Sequence, residues 1–345
     1  MSKLFRSTSA VVLAIVLCAG TAAVAAKAKT KPKPAAKTTN HATTGTQQLK
    51  GEYADIGSTY TLGKESPWNI TLKSAEYSVD PVVIGENIYY PKADEKLLVL
   101  HFSLHNPQKQ EAFARYDTFG ITAVDAKNEN HECINDVGVE STKSSFSMTM
   151  KPAQKVDIYT AVVVPAEGEV PKLIIKSADE LVLRYDLKGK LKGLPAPFAD
   201  PKDATGATAL AKVSAKTGTF YSLGEFSLKL EGIAYSEKPI KDLDLDEGNQ
   251  YVIASAVVRN DAPTKQFFRF DTLLPVLTDA DGVEATWTQH VLASSRDADF
   301  SMDMDPAKEM KVRFVFQAPK DMSLKTLSIS KEEGRVYEFD LSAAR

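Results

Sequence analysis

Four carboxylates, Asp242, Asp244, Asp246 and Glu247, stand just ahead of Gly248. Hard oxygen ligands at alternate positions suit calcium, and the run mimics the first half of a calcium loop. An EF-hand also needs a glutamate at loop position twelve, and that place is Ile253. The run therefore reads as an acidic solvated loop, with a calcium site outside EF-hand geometry as the metal alternative. Asp297, Asp299, Asp303 and Asp305 form a second acidic run with the same two readings. Met148 and Met150, and again Met302 and Met304, offer soft thioethers that suit Cu(I). Each pair shares a strand face with Phe146 or Phe300, which predicts core packing with Met as gap filler. His101 and His105 share the polar face of a strand, and His131 could join them only through folding.

Enzyme templates are missing from the sequence. It contains no G-x-S-x-G, H-E-x-x-H, P-loop or G-x-G-x-x-G. Ser328-Ile-Ser-Lys331 and Lys216-Thr-Gly218 match fragments of the penicillin-binding pattern in reversed order and read as chance. No catalytic residue and no cofactor is assigned, and the expected class is non-enzymatic.

The elements that would position these groups begin after an address. Lys3 and Arg6 precede an apolar run, Ala10 to Ala19, and Ala23-Val24-Ala25 fits the small-x-small rule of signal peptidase. Residues 1–25 are thus expected to be a signal peptide. The apolar run is too short for a bilayer of ~30 Å, and no later stretch is long and apolar enough to span one. Residues 26–50 carry six lysines and no acid among Ala, Thr and Pro. Such a segment buries too little to offset its ordering entropy and is expected to be a disordered basic tether that could touch an anionic surface. From Gly51 onward 34 basic residues face 45 acidic ones, a net charge of −11. That balance argues against nucleic acid as a partner.

From residue 95 to 187 the chain aligns without a gap to 249–341, with 21 identities in 93 positions. Asn106/Asn260, Phe113/Phe267, Arg115/Arg269, Asp117-Thr118/Asp271-Thr272 and Asp125-Ala126/Asp279-Ala280 recur. So does Phe146-Ser-Met-x-Met-x-Pro-Ala153, at Phe300 to Ala307. Upstream, Gly57-Ser-Thr-Tyr-Thr-Leu-Gly63 returns as Gly218-Thr-Phe-Tyr-Ser-Leu-Gly224. Within each copy the period is two: Leu98, Leu100, Phe102 and Leu104 alternate with Val99, His101, Ser103 and His105. Val252, Ala254, Ala256 and Val258 keep the same face. Alternating strands with turn signals such as Asp281-Gly282 predict an antiparallel β-sandwich. Repetition of Arg115 and Asp117 predicts a shared ion pair or turn cap. The single mature cysteine, Cys133, aligns with Trp287, and its thiol is expected to be buried and free.

The order within each copy is a strand ending in Asn106 or Asn260, then Phe and Asp, an Asp-Ala hairpin, and x-Pro-Ala before a strand ending in Pro165 or Pro319. It resembles the secreted bacterial immunoglobulin-like domains of unknown function, and more loosely the sandwich of a bacterial proteinase-inhibitor family. Lys151-Pro-Ala and Asp305-Pro-Ala depart from that pattern in lacking a glycine after the proline. The resemblance implies an all-β fold of two tandem immunoglobulin-like sandwiches, and it transfers no catalytic residue. The expected organisation is sandwich 1 over 51–187, a linker rich in Gly, Pro, Ala and Asp over 188–211, and sandwich 2 over 212–345. The expected role is an exported binding or interaction module of the cell envelope, periplasmic, on the cell surface or extracellular. Its partner would be a protein or an envelope polymer. The alternative is an exported calcium- or copper-binding protein, with Asp242, Asp244, Asp246 and Glu247 as ligands.

Overall fold

The computed structural model describes residues 52–342 apart from Lys241. The signal peptide and the tether expected from the sequence lie outside the described residues. Among the described residues all regular structure is β, and no helix is long and apolar enough to cross a membrane.

The first half contains β1 (Thr59–Leu62), β2 (Trp68–Ser78), β3 (Val82–Ile84), β4 (Asn87–Tyr89), β5 (Glu95–His105), β6 (Ala112–Arg115) and β7 (Phe119–Val124). These are followed by β8 (Asn130–Glu132), β9 (Gly138–Val139), β10 (Ser147–Met150), β11 (Lys155–Pro165), β12 (Lys172–Ser177) and β13 (Val182–Asp186). One sheet runs β1-β2-β5-β11-β9 and a second β13-β12-β7-β8. Their inner faces share one core. Leu98, Leu100, Phe102 and Leu104 meet Ile121, Ala123, Leu173, Ile175 and Tyr185, all buried. The alternating residues predicted to face inward do so.

The second half contains β14 (Lys212–Ala215), β15 (Phe220–Leu223), β16 (Phe226–Ser236), β17 (Asn249–Asn260), β18 (Gln266–Phe268) and β19 (Leu274–Asp279). It closes with β20 (Thr286–Ala293), β21 (Met302–Met304), β22 (Glu309–Pro319), β23 (Leu324–Ser330) and β24 (Val336–Asp340). Its sheets run β15-β16-β17-β22-β20 and β14-β24-β23-β19. Val252, Ala254, Ala256 and Val258 pack on Leu277, Leu327, Ile329 and Phe339 in a separate core.

Three strands of the smaller sheet keep their order in both halves, while the fourth is β8 beside β7 in one and β14, parallel to β24, in the other. Local details repeat as well. Gly57 and Gly218 both sit at φ +84°, a conformation that L side chains rarely adopt. The Asp55 amide donates to the Tyr60 hydroxyl at 2.9 Å, and the Lys216 amide to that of Tyr221 at 2.8 Å. Asn106 sits where the chain leaves β5. Its side-chain amide donates to the carbonyls of Gln110 and Met150, while its Oδ1 accepts the Gln108 amide. Asn260 makes the same three bonds to Thr264, Met304 and Ala262. Buried and fully paired, each asparagine ties two loops together, which gives the repetition a structural reason.

Bulk is exchanged between neighbours rather than lost. Thr160 pairs with Leu100 across the β5–β11 ladder, and Phe314 pairs with Ala254 at the equivalent place. Large side chains sit on β5 in one core and on β22 in the other. Volume is kept while its source strand changes, which close-packed interiors tolerate best.

Residues 188–211 are packed rather than free. Leu194, Ala207 and Ala209 are buried in the first core. Lys96 is fully buried, and its ammonium donates to the carbonyls of Ala166, Gly168 and Ala207, holding the segment down. Burial pushes this lysine down to about 8, opposed by the charges of Asp203 and Glu169. Arg335, also buried, donates to the carbonyls of Leu210 at 2.6 Å and Glu95 at 2.8 Å, so it joins the segment and both halves. Lys92–Glu333 at 2.7 Å adds an ion pair across the same junction, and the Tyr90 hydroxyl donates across it to Glu225 at 3.2 Å.

Candidate functional site

The acidic run predicted from the sequence lies between β16 and β17. Leu243 and Leu245 turn towards the buried Ile240, Tyr251 and Val315, so Asp242, Asp244, Asp246 and Glu247 face solvent. The Gln317 side chain binds the Asp246 amide and the Asp244 carbonyl, and the Tyr251 hydroxyl binds the Leu243 carbonyl. This alternation fixes the loop without gathering its carboxylates into a ligand set. In the second run Asp297 pairs with Arg313 at 2.8 Å, Asp299 with His290 at 2.7 Å and Asp305 with Lys265 at 3.5 Å.

His101 pairs with Glu140, and His105 Nδ1 lies 3.0 Å from the side-chain amide of Asn69. The two histidines and His131 are not brought together as one group. Met150 and Met304 are fully buried, Met148 is half-buried, and Met302 is exposed. Core packing therefore accounts for three of the four methionines. Cys133 is free and half-buried, bridging to Val162 at the edge of the first core, and burial pushes its thiol up. Its counterpart Trp287 pairs with Phe316, the counterpart of Val162, so the two sites share one register.

The repeated Arg and Asp lie where β6 and β18 end and their turns begin. Arg115 binds Asp117 through two parallel bonds, Nε–Oδ1 at 2.6 Å and Nη2–Oδ2 at 2.7 Å. The Arg115 amide donates to Thr118 Oγ1 at 2.8 Å. Arg269 and Asp271 pair at 2.5 Å, and the Arg269 amide donates to Thr272 Oγ1 at 2.9 Å. This is the shared turn expected from the sequence. Its aromatic neighbours were not singled out there as a surface. Phe113 is 59% exposed and Phe267 54%, and Tyr116 and Phe270 on the same turns are exposed too. Strand alternation explains the geometry: Ala114 and Phe268 point into the core, so the residues beside them point out. Around Phe113, Arg115 and Asp117 a groove of about 400 Å³ is floored by Trp68 and rimmed by Ser66 and Asp179.

A second group sits on the hairpin from β7 to β8. Asp125, Glu129 and His131 each bring one ligand atom within 4.8 Å of the others, the one such group of three among the described residues. The Asn128 amide closes a turn on the Asp125 carbonyl at 3.1 Å, and Asn128 itself is left-handed at φ +64°. This three-residue loop faces Asp125 to Glu129 and puts His131 two residues along on the same face. Asp125 Oδ1 accepts the amides of Lys127 at 2.8 Å and Glu129 at 2.9 Å, while Oδ2 lies 3.1 Å from His131 Nε2. Burial opposes ionisation of Asp125, but the two amides and His131 outweigh it and hold the carboxyl below its usual range.

No protein-family model matches the chain, and no curated protein matches it. Among solved structures, an uncharacterised β-sandwich protein from Clostridium difficile 630 aligns over 41% of this chain and 99% of its own, at 18% identity and TM-score 0.31. Red sea bream transglutaminase aligns over 78% of this chain and 30% of its own, at 10% identity and TM-score 0.23. The described residues form an all-β protein of packed, mainly antiparallel sheets, and the similarity to the uncharacterised β-sandwich protein carries no activity with it.

Proposed function

We propose that the protein is an exported, non-enzymatic binding module of the bacterial cell envelope, built from two tandem immunoglobulin-like sandwiches behind a basic tether. The partner is a protein or an envelope polymer, met by the two equivalent turns at Phe113–Thr118 and Phe267–Thr272. One observation carries this reading. Only 21 of 93 aligned positions are identical between the halves. Asn106, Met150 and Phe146 have a packing or hydrogen-bonding job that accounts for their repetition. Phe113 and Phe267 are repeated yet more than half exposed. Exposed aromatic and Arg side chains are the types that anchor partners. Two copies on one chain would raise avidity where a partner is repetitive.

The test is a Phe113→Ser/Phe267→Ser variant of the mature protein, assayed for retention on isolated envelope polymer and for co-purification from envelope extracts. Stability should change by less than ~0.5 kcal/mol, as for ordinary surface changes, while retention falls at least tenfold. Retention equal to wild type would remove the turns as the contact surface. The same assay without residues 26–50 separates a tether contact from one made by the body.

A further inference from the structure

We propose that Asp125, Glu129 and His131 form a binding site for one divalent transition ion of the zinc class on the first half of the protein. The second half supplies an internal control. Asp279 caps the equivalent hairpin as Asp125 does, its Oδ1 accepting the amides of Asp281 at 2.9 Å and Val283 at 2.8 Å. Gly282 at φ +82° takes the place of Asn128. The hairpin therefore needs the aspartate and the left-handed residue alone. Val283 and Ala285 stand where the first half has Glu129 and His131. Those two side chains are additions that the turn does not require.

Their placement suits ligation. Ligand atoms bonded to zinc at ~2.0–2.2 Å in a tetrahedron lie about 3.3–3.5 Å apart. Asp125 Oδ2 and His131 Nε2, at 3.1 Å, already stand near that spacing. Glu129 is exposed and has only to turn inward. Asp125 Oδ1 is anchored by two backbone amides, so Oδ2 stays aimed at the site, the kind of outer support that metal ligands receive. His131 faces the same side as Ala123, which is fully buried, so the site lies at the rim of the core. One imidazole with two carboxylates suits Zn²⁺, Ni²⁺ or Co²⁺ better than calcium, which takes six to eight oxygens. Three protein ligands leave a fourth position for water.

The test is titration of the metal-free mature protein with ZnCl₂ by calorimetry, with Co²⁺ visible absorption as the reporter of tetrahedral geometry. The expected result is one Zn²⁺ per chain, with affinity falling at least tenfold in His131→Ala and in Glu129→Gln. Both substituted side chains lie at the surface of the hairpin, so the fold is kept, and the Co²⁺ bands should vanish in His131→Ala. A thermal shift with ZnCl₂ should appear in wild type and be lost in the same variants. Absence of stoichiometric binding would overturn the proposal and leave Glu129 and His131 as polar side chains at a sheet edge. Binding unchanged in His131→Ala, or preferred binding of Ca²⁺, would overturn it equally. None of these outcomes bears on the contact turns at Phe113 and Phe267.

Discussion

Lys73 Nζ lies 2.9 Å from Asp157 Oδ2, and the same two places in the second half hold Glu231 and Lys311 with the charges exchanged, 3.1 Å apart. Lys73 and Glu231 are each the extra residue of a β-bulge, where the register slips between Leu72 and Ser74 and between Leu230 and Gly232. A bulge re-aims one side chain across its sheet. An attraction therefore stands at the same place in both halves, with the signs of its charges reversed.

That relationship gives a first prediction. Asp157→Lys should lower stability by ~0.3–1 kcal/mol, because both side chains are nearly half exposed and solvent screens them. Adding Lys73→Glu should restore the loss. A double-mutant cycle in urea, run at low and high salt, measures the coupling. A coupling near zero at low salt would show that the exchange is incidental.

The bulk exchange between the cores is a stronger test. Phe314→Ala should cost ~3–5 kcal/mol by leaving a cavity. Ala254→Leu alone should also destabilise, by ~1–3 kcal/mol, through overpacking against Phe314. Together they should be less destabilising than Phe314→Ala alone, since the introduced leucine side chain would refill the space as Leu100 does opposite Thr160. Urea midpoints of the three variants decide it, and simple additivity would contradict the volume argument.

A third prediction concerns the turns that lack the expected glycine. Ala153 and Ala307 follow prolines and sit at φ +62° and +58°. Each turn is closed by a bond to the carbonyl three residues back, Gln154 to Lys151 at 3.0 Å and Lys308 to Asp305 at 3.1 Å. A left-handed alanine costs ~1–2 kcal/mol, and glycine returns part of that as unfolded-chain entropy. Ala153→Gly and Ala307→Gly should each therefore stabilise by ~0.5–1 kcal/mol. A lower melting temperature in both variants would refute the strain.

The period-two runs made the strands and inner faces legible, because each strand has one side on a core. The sequence match between the halves likewise led to the paired turns and to the common register of Cys133 and Trp287. Two kinds of feature stayed hidden. The outer faces of β5 and β11 carry a second small core, in which Leu97, Val99 and Tyr159 are covered by Val82 and Ile84. Alternation alone assigns such residues to solvent. Lys96 and Arg335 were invisible because their partners are backbone carbonyls up to 111 and 242 residues away. The Asp125–Glu129–His131 group does carry a sequence signal: a three-residue hairpin loop aligns those positions, and the second half lacks two of them.

Lys96 carries the last prediction, through pH. Its Nζ also lies 4.5 Å from the centre of the Tyr77 ring, so the charge is held by carbonyls and an aromatic face, with no ion pair to a carboxylate among the described residues. Burial lowers its folded pKa from 10.5 to about 8. Below pH 8 the lysine is charged in both states, and the full cost of burying that charge is present. Between pH 8 and 10.5 the unfolded chain holds a proton that the folded chain has released. Stability from this group therefore rises with pH across that window, by up to roughly 3 kcal/mol. Tyr77, raised to about 12 chiefly by burial, stays neutral there. The second half places Gln250 at the same position. The difference in urea midpoint between wild type and Lys96→Gln, taken at pH 7, 8.5 and 10, cancels the other lysines and tyrosines. Wild type should gain on the variant as pH rises. A constant difference would mean that the three carbonyls hold Lys96 charged throughout, and that the segment over residues 194–210 is pinned by an ammonium at every pH in the range.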